Sequence, residues 1–140
     1  MESQIIIQVR YSDVDLMNVV YNAKYYEYYE LGRLDFIGKF VMPYNDLIEK
    51  ERIQIPVTSN SSKYYGPAKY ADDLLLITKA HKLTNKRLSF SYKLFKSDTL
   101  IAEGLSEHSF IKNGVLKSIE VPNLFVEKLR DLPESECIIS

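Results

Sequence analysis

Tyr25, Tyr28, Tyr29, Gly32 and Phe36 follow an i, i+3, i+4, i+7 rhythm with no charged residue among them. At about 100° per residue they fall on one stripe of a helix running from about Asn22 to Phe40, with Asn22 as its cap. Lys24, Glu27, Glu30, Arg33 and Asp35 spread over the remaining surface, where Glu30 and Arg33 can pair along the helix. A stripe this aromatic has to be covered by a second layer. Glycine inside a helix costs about 1 kcal/mol relative to alanine, so Gly32 on the apolar stripe predicts that another backbone passes close by. A sheet laid over the helix would supply that backbone.

Most of the remaining chain shows the two-residue period of strands. The predicted strands are Gln4–Arg10, Ile53–Tyr65, Asp73–Leu83, Arg87–Lys96, Leu100–Lys112 and Val115–Ser118. Their connections carry turn chemistry at Gly66-Pro67, Thr84-Asn85-Lys86, Ser97-Asp98 and Asn113-Gly114, the last being the strongest hairpin signal. A shorter helix is expected over Pro43–Arg52, and another over Ser118–Leu132, begun at Pro122. One strand, a long helix and a run of antiparallel strands make an α+β fold, an antiparallel sheet wrapped around a central long helix. With no repeat, linker or low-complexity segment, residues 1–140 read as one domain.

Hydrophobic residues make up 46% of the chain, enough for a real core and too many for a disordered protein. A formal net charge of −1 argues against a nucleic-acid or membrane-surface partner. No apolar run approaches the ~20 residues of a membrane span. The start, Met1-Glu2-Ser3-Gln4-Ile5, lacks the basic and apolar regions of a signal peptide. The single cysteine, Cys137, has no internal partner for a disulfide, which fits a cytoplasmic location. Two histidines and one cysteine, far apart, give no metal-ligand spacing, so no metal and no cofactor are expected. His81 and His108 fall in predicted strands, where half-exposed strand residues are expected.

The chemistry concentrates between Val9 and Tyr25. Asp13 and Asp15 sit on a short turn between a strand and the tyrosine-rich helix. A two-residue spacing along an extended chain points both carboxylates the same way. Turn-forming or capping aspartates are the plain reading of such a pair. A carboxylate facing a helix N-terminus, however, joins a nucleophile or base to donors that stabilise developing negative charge, a pairing suited to acyl transfer. Lys86 and Arg87, with Lys82 and Lys79 nearby, make a basic turn that is a solvated hairpin unless a phosphate-bearing ligand uses it.

Tyr11, Asp13, Asp15, Val19, Val20, Tyr21 and Tyr25 resemble the signature of the 4-hydroxybenzoyl-CoA thioesterase branch of the hotdog-fold family. Three further segments, in the same order and spacing, are similar to that family: Tyr25–Arg33, Tyr64–Asp73 with its Pro67-Ala68 and Asp72-Asp73, and Leu83–Phe90. The resemblance covers most of the chain. It implies a hotdog fold and hydrolysis of an acyl- or aryl-CoA thioester to a carboxylic acid and CoA. Asp15 falls on the family's catalytic carboxylate, as nucleophile or as general base, and Asp13 on a structural acid. The backbone N–H groups of Asn22 and Ala23 would form the oxyanion site. Lys86, Arg87 and Ser89 would hold the CoA phosphates, and Met17, Asn18, Tyr25 and Tyr64 would line the acyl pocket. Asn18 stands where glycine is usual, and asparagine is the next most tolerant residue if that position needs a positive φ. A homodimer or homotetramer is implied, with each active site between two subunits. The rivals are an acyl–acyl-carrier-protein thioesterase and a non-catalytic acyl-CoA-binding domain; a hydratase lacks its Asp-x-x-x-x-His pattern here.

Overall fold

The computed structural model describes residues 1–115 and 117–130. Strand β1 (Glu2–Gln8) leads through a 3-10 turn at Tyr11–Asp13 to helix α1 (Asn22–Phe40) and a short α2 (Tyr44–Glu49). Then come β2 (Ile53–Gln54), β3 (Val57–Tyr64), β4 (Asp73–Leu83), β5 (Leu88–Lys96), β6 (Thr99–His108), β7 (Phe110–Lys112), β8 (Ser118–Ile119) and α3 (Asn123–Lys128). Five strands form an antiparallel sheet in the order β1-β4-β5-β6-β3. This sheet packs on α1, the hotdog arrangement expected from sequence.

The whole predicted stripe of α1 is buried, together with Ile37. Tyr29 stacks on Tyr92 of β5 at 4.6 Å, and Phe36 meets Phe90 edge-on at 5.4 Å. Such pairs add to the burial of large apolar surface. Gly32 is tight for a different reason than expected. A Cβ there would run into the side chains of Thr78 and Leu76 on β4, so side chains rather than a backbone impose the glycine. Asn22 is also not the cap. Tyr21 holds that place with an extended backbone, no side chain closes the helix start, and Asn22 is its first helical residue.

Two predicted strands are broken where the chemistry requires it. Pro56 has no N–H to give to a ladder, and the run from Ile53 divides there into β2 and β3. Its partner run divides at Ser109, whose N–H donates to the Pro56 carbonyl at 3.2 Å. The two corners thus turn together into a second sheet, β2-β7-β8. Phe110 of that sheet packs on Phe125 of α3 at 4.9 Å. β8 starts later than the predicted Val115, after Gly114 has turned the chain at φ +83°. Cys137 and the end of the predicted C-terminal helix lie outside the described residues. No helix among those described is long and apolar enough to cross a membrane.

Candidate active site

The loop between β1 and α1 is an ordered turn. Asp15 N–H donates to the Val19 carbonyl at 2.9 Å, and Asn18 N–H to the Asp15 carbonyl at 3.0 Å. Asn18 has φ +59°, the left-handed conformation in which it can replace glycine. The Asp15 carboxylate accepts from Met17 N–H at 2.8 Å and Val19 N–H at 3.5 Å, both on Oδ1. Asp15 therefore does form the turn, as the plain reading of an aspartate holds. The same bonds orient its carboxylate, and Oδ2 has no protein partner among the described residues. Asp15 is exposed, on the wall of a groove with Tyr11, Val14, Leu16 and Asn18. The Met17 side chain points to solvent and off that wall.

Asp13 does the opposite. The 3-10 turn swings it inward, so the two carboxylates do not share a direction. It is 1% exposed and accepts from Arg10 N–H at 3.0 Å and the Tyr28 hydroxyl at 2.9 Å, with the Arg10 guanidinium at 3.4 Å. Burial alone would push its pKa up. The Arg10 N–H, the Tyr28 hydroxyl and the Arg10 guanidinium together outweigh burial and hold it below its ordinary 3.8. A depressed carboxylate contributes stability above its unfolded pKa and loses it as pH falls through the folded value. Asp13→Asn should therefore cost about 1–3 kcal/mol at pH 7, the worth of bonds to a charged group. Urea unfolding at pH 7 and near pH 3 checks it: the gap closes in acid, and an equal gap at both would mean that Asp13 is not ionised.

The helix start lies beside the Asp15 turn. Val14 and Val20 form an antiparallel bridge, and Tyr21 N–H donates to the Asp13 carbonyl at 3.0 Å. Asp15 is thereby paired to Val19, just ahead of Asn22. The first N–H groups of a helix have no carbonyl within it to bond. With Tyr21 giving no side-chain cap, those of Asn22 and Ala23 have no side-chain acceptor from the capping residue either. Tyr64 closes this corner: its ring lies 4.8 Å from Tyr25, and its hydroxyl donates to the Asn22 carbonyl at 3.4 Å. Tyr25 is itself buried and Tyr64 exposed, and neither lines the groove beside Asp15. Behind the loop, Val20 N–H bonds the Ala68 carbonyl and Val9 N–H the Asp72 carbonyl, which pins the Tyr64–Asp73 segment to the turn.

The basic hairpin is elsewhere. Lys86 and Arg87 follow β4, whose eleven residues begin beside the Asp15 loop and span about 30 Å or more. Thr84 Oγ1 accepts from Lys86 and Arg87 N–H, and Arg87 lies 3.8 Å from Glu107. Ser89 sits in β5 opposite Lys82 and Glu107. Within one chain these residues and Asp15 occupy opposite ends of the sheet. β5, β6 and β3 pair so that Leu88, His108 and Val57 are neighbours, and the hairpin thus shares the Val57 end of β3 while Asp15 shares the Tyr64 end.

Residues 9–129 match the family model of the thioesterase-like superfamily. The chain belongs to that superfamily. Its reaction class is thioester hydrolysis. Among solved structures, protein TT1821 from Thermus thermophilus is similar at 28% identity and a TM-score of 0.86, over 95% of this chain and 98% of that one. A DHNA-CoA thioesterase from Staphylococcus aureus is similar at 29% identity and a TM-score of 0.81, over 93% and 85%. An acyl-CoA thioesterase, YbgC, of Haemophilus influenzae is 22% identical over 83% of this chain and 85% of its own.

Within this superfamily member the core holds a polar group expected to be half-exposed. His108 is 0% exposed, not half-exposed, and its Nε2 lies 2.7 Å from Ser106 Oγ. Burial first, then the Arg33 charge, depress its pKa to about 4, against a smaller pull upward from the Ile55 and Pro56 carbonyls, so the ring is neutral at pH 7. Arg33 does not pair with Glu30 as expected; it turns inward and donates to the Tyr92 hydroxyl at 3.2 Å. The available signal was phase: His108 is in step with Ala102, Gly104 and Ser106, the inward residues of β6.

Proposed function

We propose that this thioesterase hydrolyses an acyl- or aryl-CoA ester in a site shared by two copies of the chain, with Asp15 as nucleophile or general base. The observation that carries the reading is the Asp15 carboxylate, fixed through Oδ1, open at Oδ2, and placed beside an uncapped helix start. As nucleophile, Oδ2 would attack the thioester carbon, the CoA thiolate would leave, and water would hydrolyse the mixed anhydride. As general base, it would take a proton from the attacking water. In either course the N–H groups of Asn22 and Ala23 bind the oxyanion. The names of the Staphylococcus and Haemophilus relatives support CoA as the carrier. Comparing turnover of one acyl group on CoA and on acyl-carrier protein tests that choice. Release of free thiol from a panel of aryl- and fatty-acyl-CoAs, with no turnover of any, would leave a binding domain instead.

Sharing between copies follows from the two ends of β3. Among the described residues this strand is an edge, paired only with β6, and Val57–Ser62 carries no charge to discourage another strand. A copy pairing antiparallel with it across a two-fold axis brings the Val57 end of one beside the Tyr64 end of the other. The basic hairpin of each then faces the Asp15 turn of its neighbour. Leu16, Met17, Tyr21, Tyr64 and Tyr65 are exposed around that turn, an apolar surface suited to an acyl group and to a second subunit. Changing Lys86 and Arg87 together to alanine should raise KM roughly tenfold and leave kcat within about threefold, because phosphate contacts are the same in ground and transition states. Steady-state kinetics checks it, and an unchanged KM assigns the pair to a solvated hairpin.

A further inference from the structure

The hydrogen-bond chain in the core has a fixed direction. The Arg33 guanidinium can only donate, so the Tyr92 oxygen accepts from it. Tyr92 is buried, and its other hydrogen-bond partner among the described residues is Ser106 Oγ at 2.5 Å. The phenolic hydrogen therefore goes to Ser106, since any other direction strands it in the core. Ser106 gives its own hydrogen to His108 Nε2. The imidazole thus accepts at Nε2 and carries its proton on Nδ1. Nδ1 has no hydrogen-bond partner among the described residues.

His108 lines a cavity of about 290 Å³ between the second half of α1 and the Ile55–Val57 corner. Arg33, Glu30 and Tyr44 share its wall with Phe90 and aliphatic side chains. We propose that this cavity seats the far end of the acyl group, and that His108 Nδ1–H, with the Arg33 guanidinium, selects acyl groups bearing an accepting oxygen there, a hydroxyl or carbonyl. The inference rests on the thioesterase reading above. Val57 belongs both to the cavity wall and to the start of β3. Pairing across the two-fold axis sets it beside the other copy's Tyr64, and so beside that copy's Asp15 turn. A carboxylate end is disfavoured by Glu30. A purely apolar end leaves the buried Nδ1–H unpaired, the situation in which enzymes discriminate most strongly.

The test uses two shape-matched pairs of esters: 4-hydroxybenzoyl-CoA with 4-methylbenzoyl-CoA, and 8-hydroxyoctanoyl-CoA with nonanoyl-CoA. The wild type should favour the hydroxyl member of at least one pair by about tenfold or more in kcat/KM. His108→Phe should bring the ratio to within about threefold, and Arg33→Met, at a half-buried position, should do the same if the first variant folds poorly. Long-range nitrogen–proton NMR of the wild type should show the proton on Nδ1, the tautomer that the selection requires. Equal rates within both pairs, a ratio that survives Arg33→Met, or a proton on Nε2 would each overturn the proposal while leaving the thioesterase reading intact. Hydrolysis of none of the four overturns this inference, and the wider panel of aryl- and fatty-acyl-CoAs then decides the thioesterase reading separately.

Discussion

Replacing Asp15 with asparagine lowers kcat by about 10²–10⁴-fold and leaves KM little changed, the contribution expected of a positioned base or nucleophile. The variant is a clean one for a structural reason. An asparagine Oδ1 can still accept from Met17 N–H and Val19 N–H, so the turn that Asp15 Oδ1 now closes is kept. What disappears is the charged Oδ2. Stability should move by under about 0.5 kcal/mol, as for an exposed substitution that keeps its bonds. The contrast with Asp13→Asn is sharp: there stability suffers and kcat should fall by less than about tenfold. Single-turnover hydrolysis in ¹⁸O-water separates the two roles of Asp15, because label enters its carboxylate only through an anhydride. Near-normal turnover by Asp15→Asn refutes the assignment.

The sequence carried the helix and the Asp15 turn because both are local. The buried stripe of α1 is set by side-chain spacing within one element; its end at Phe40 matches the prediction, and its start lies one residue earlier than a cap at Asn22 implies. Asn18 at φ +59° likewise reflects a rule of one residue. The misses are non-local. Pro56 signals a break, but only its bond from Ser109 N–H shows that two distant strands turn the same corner together. Asp13 and Asp15 look equivalent in an extended chain; the turn at Tyr11–Asp13 and the hydroxyl of Tyr28, one helix away, separate them. His108 was misplaced because its surroundings, Tyr92, Ser106 and Arg33, come from three elements. The distance between the basic hairpin and Asp15 also needed the sheet register, and under the proposed reading it is what makes a second copy necessary to the site.

That necessity can be measured by mixing two disabled variants. Asp15→Asn lacks the carboxylate, and the Lys86→Ala, Arg87→Ala double variant lacks the phosphate contacts. In a shared site, a mixed dimer holds one site with both defects and one with neither. After unfolding and refolding an equal mixture, half of the dimers are mixed, so about a quarter of all sites are intact. Thiol release should be followed at substrate well below KM, where each variant alone is slow. The expected result is recovery to about a quarter of the wild-type rate, well above the mean of the two parents. A mixed sample no faster than that mean would contradict the shared site, and would return Asp15 and the basic hairpin to separate, unconnected roles.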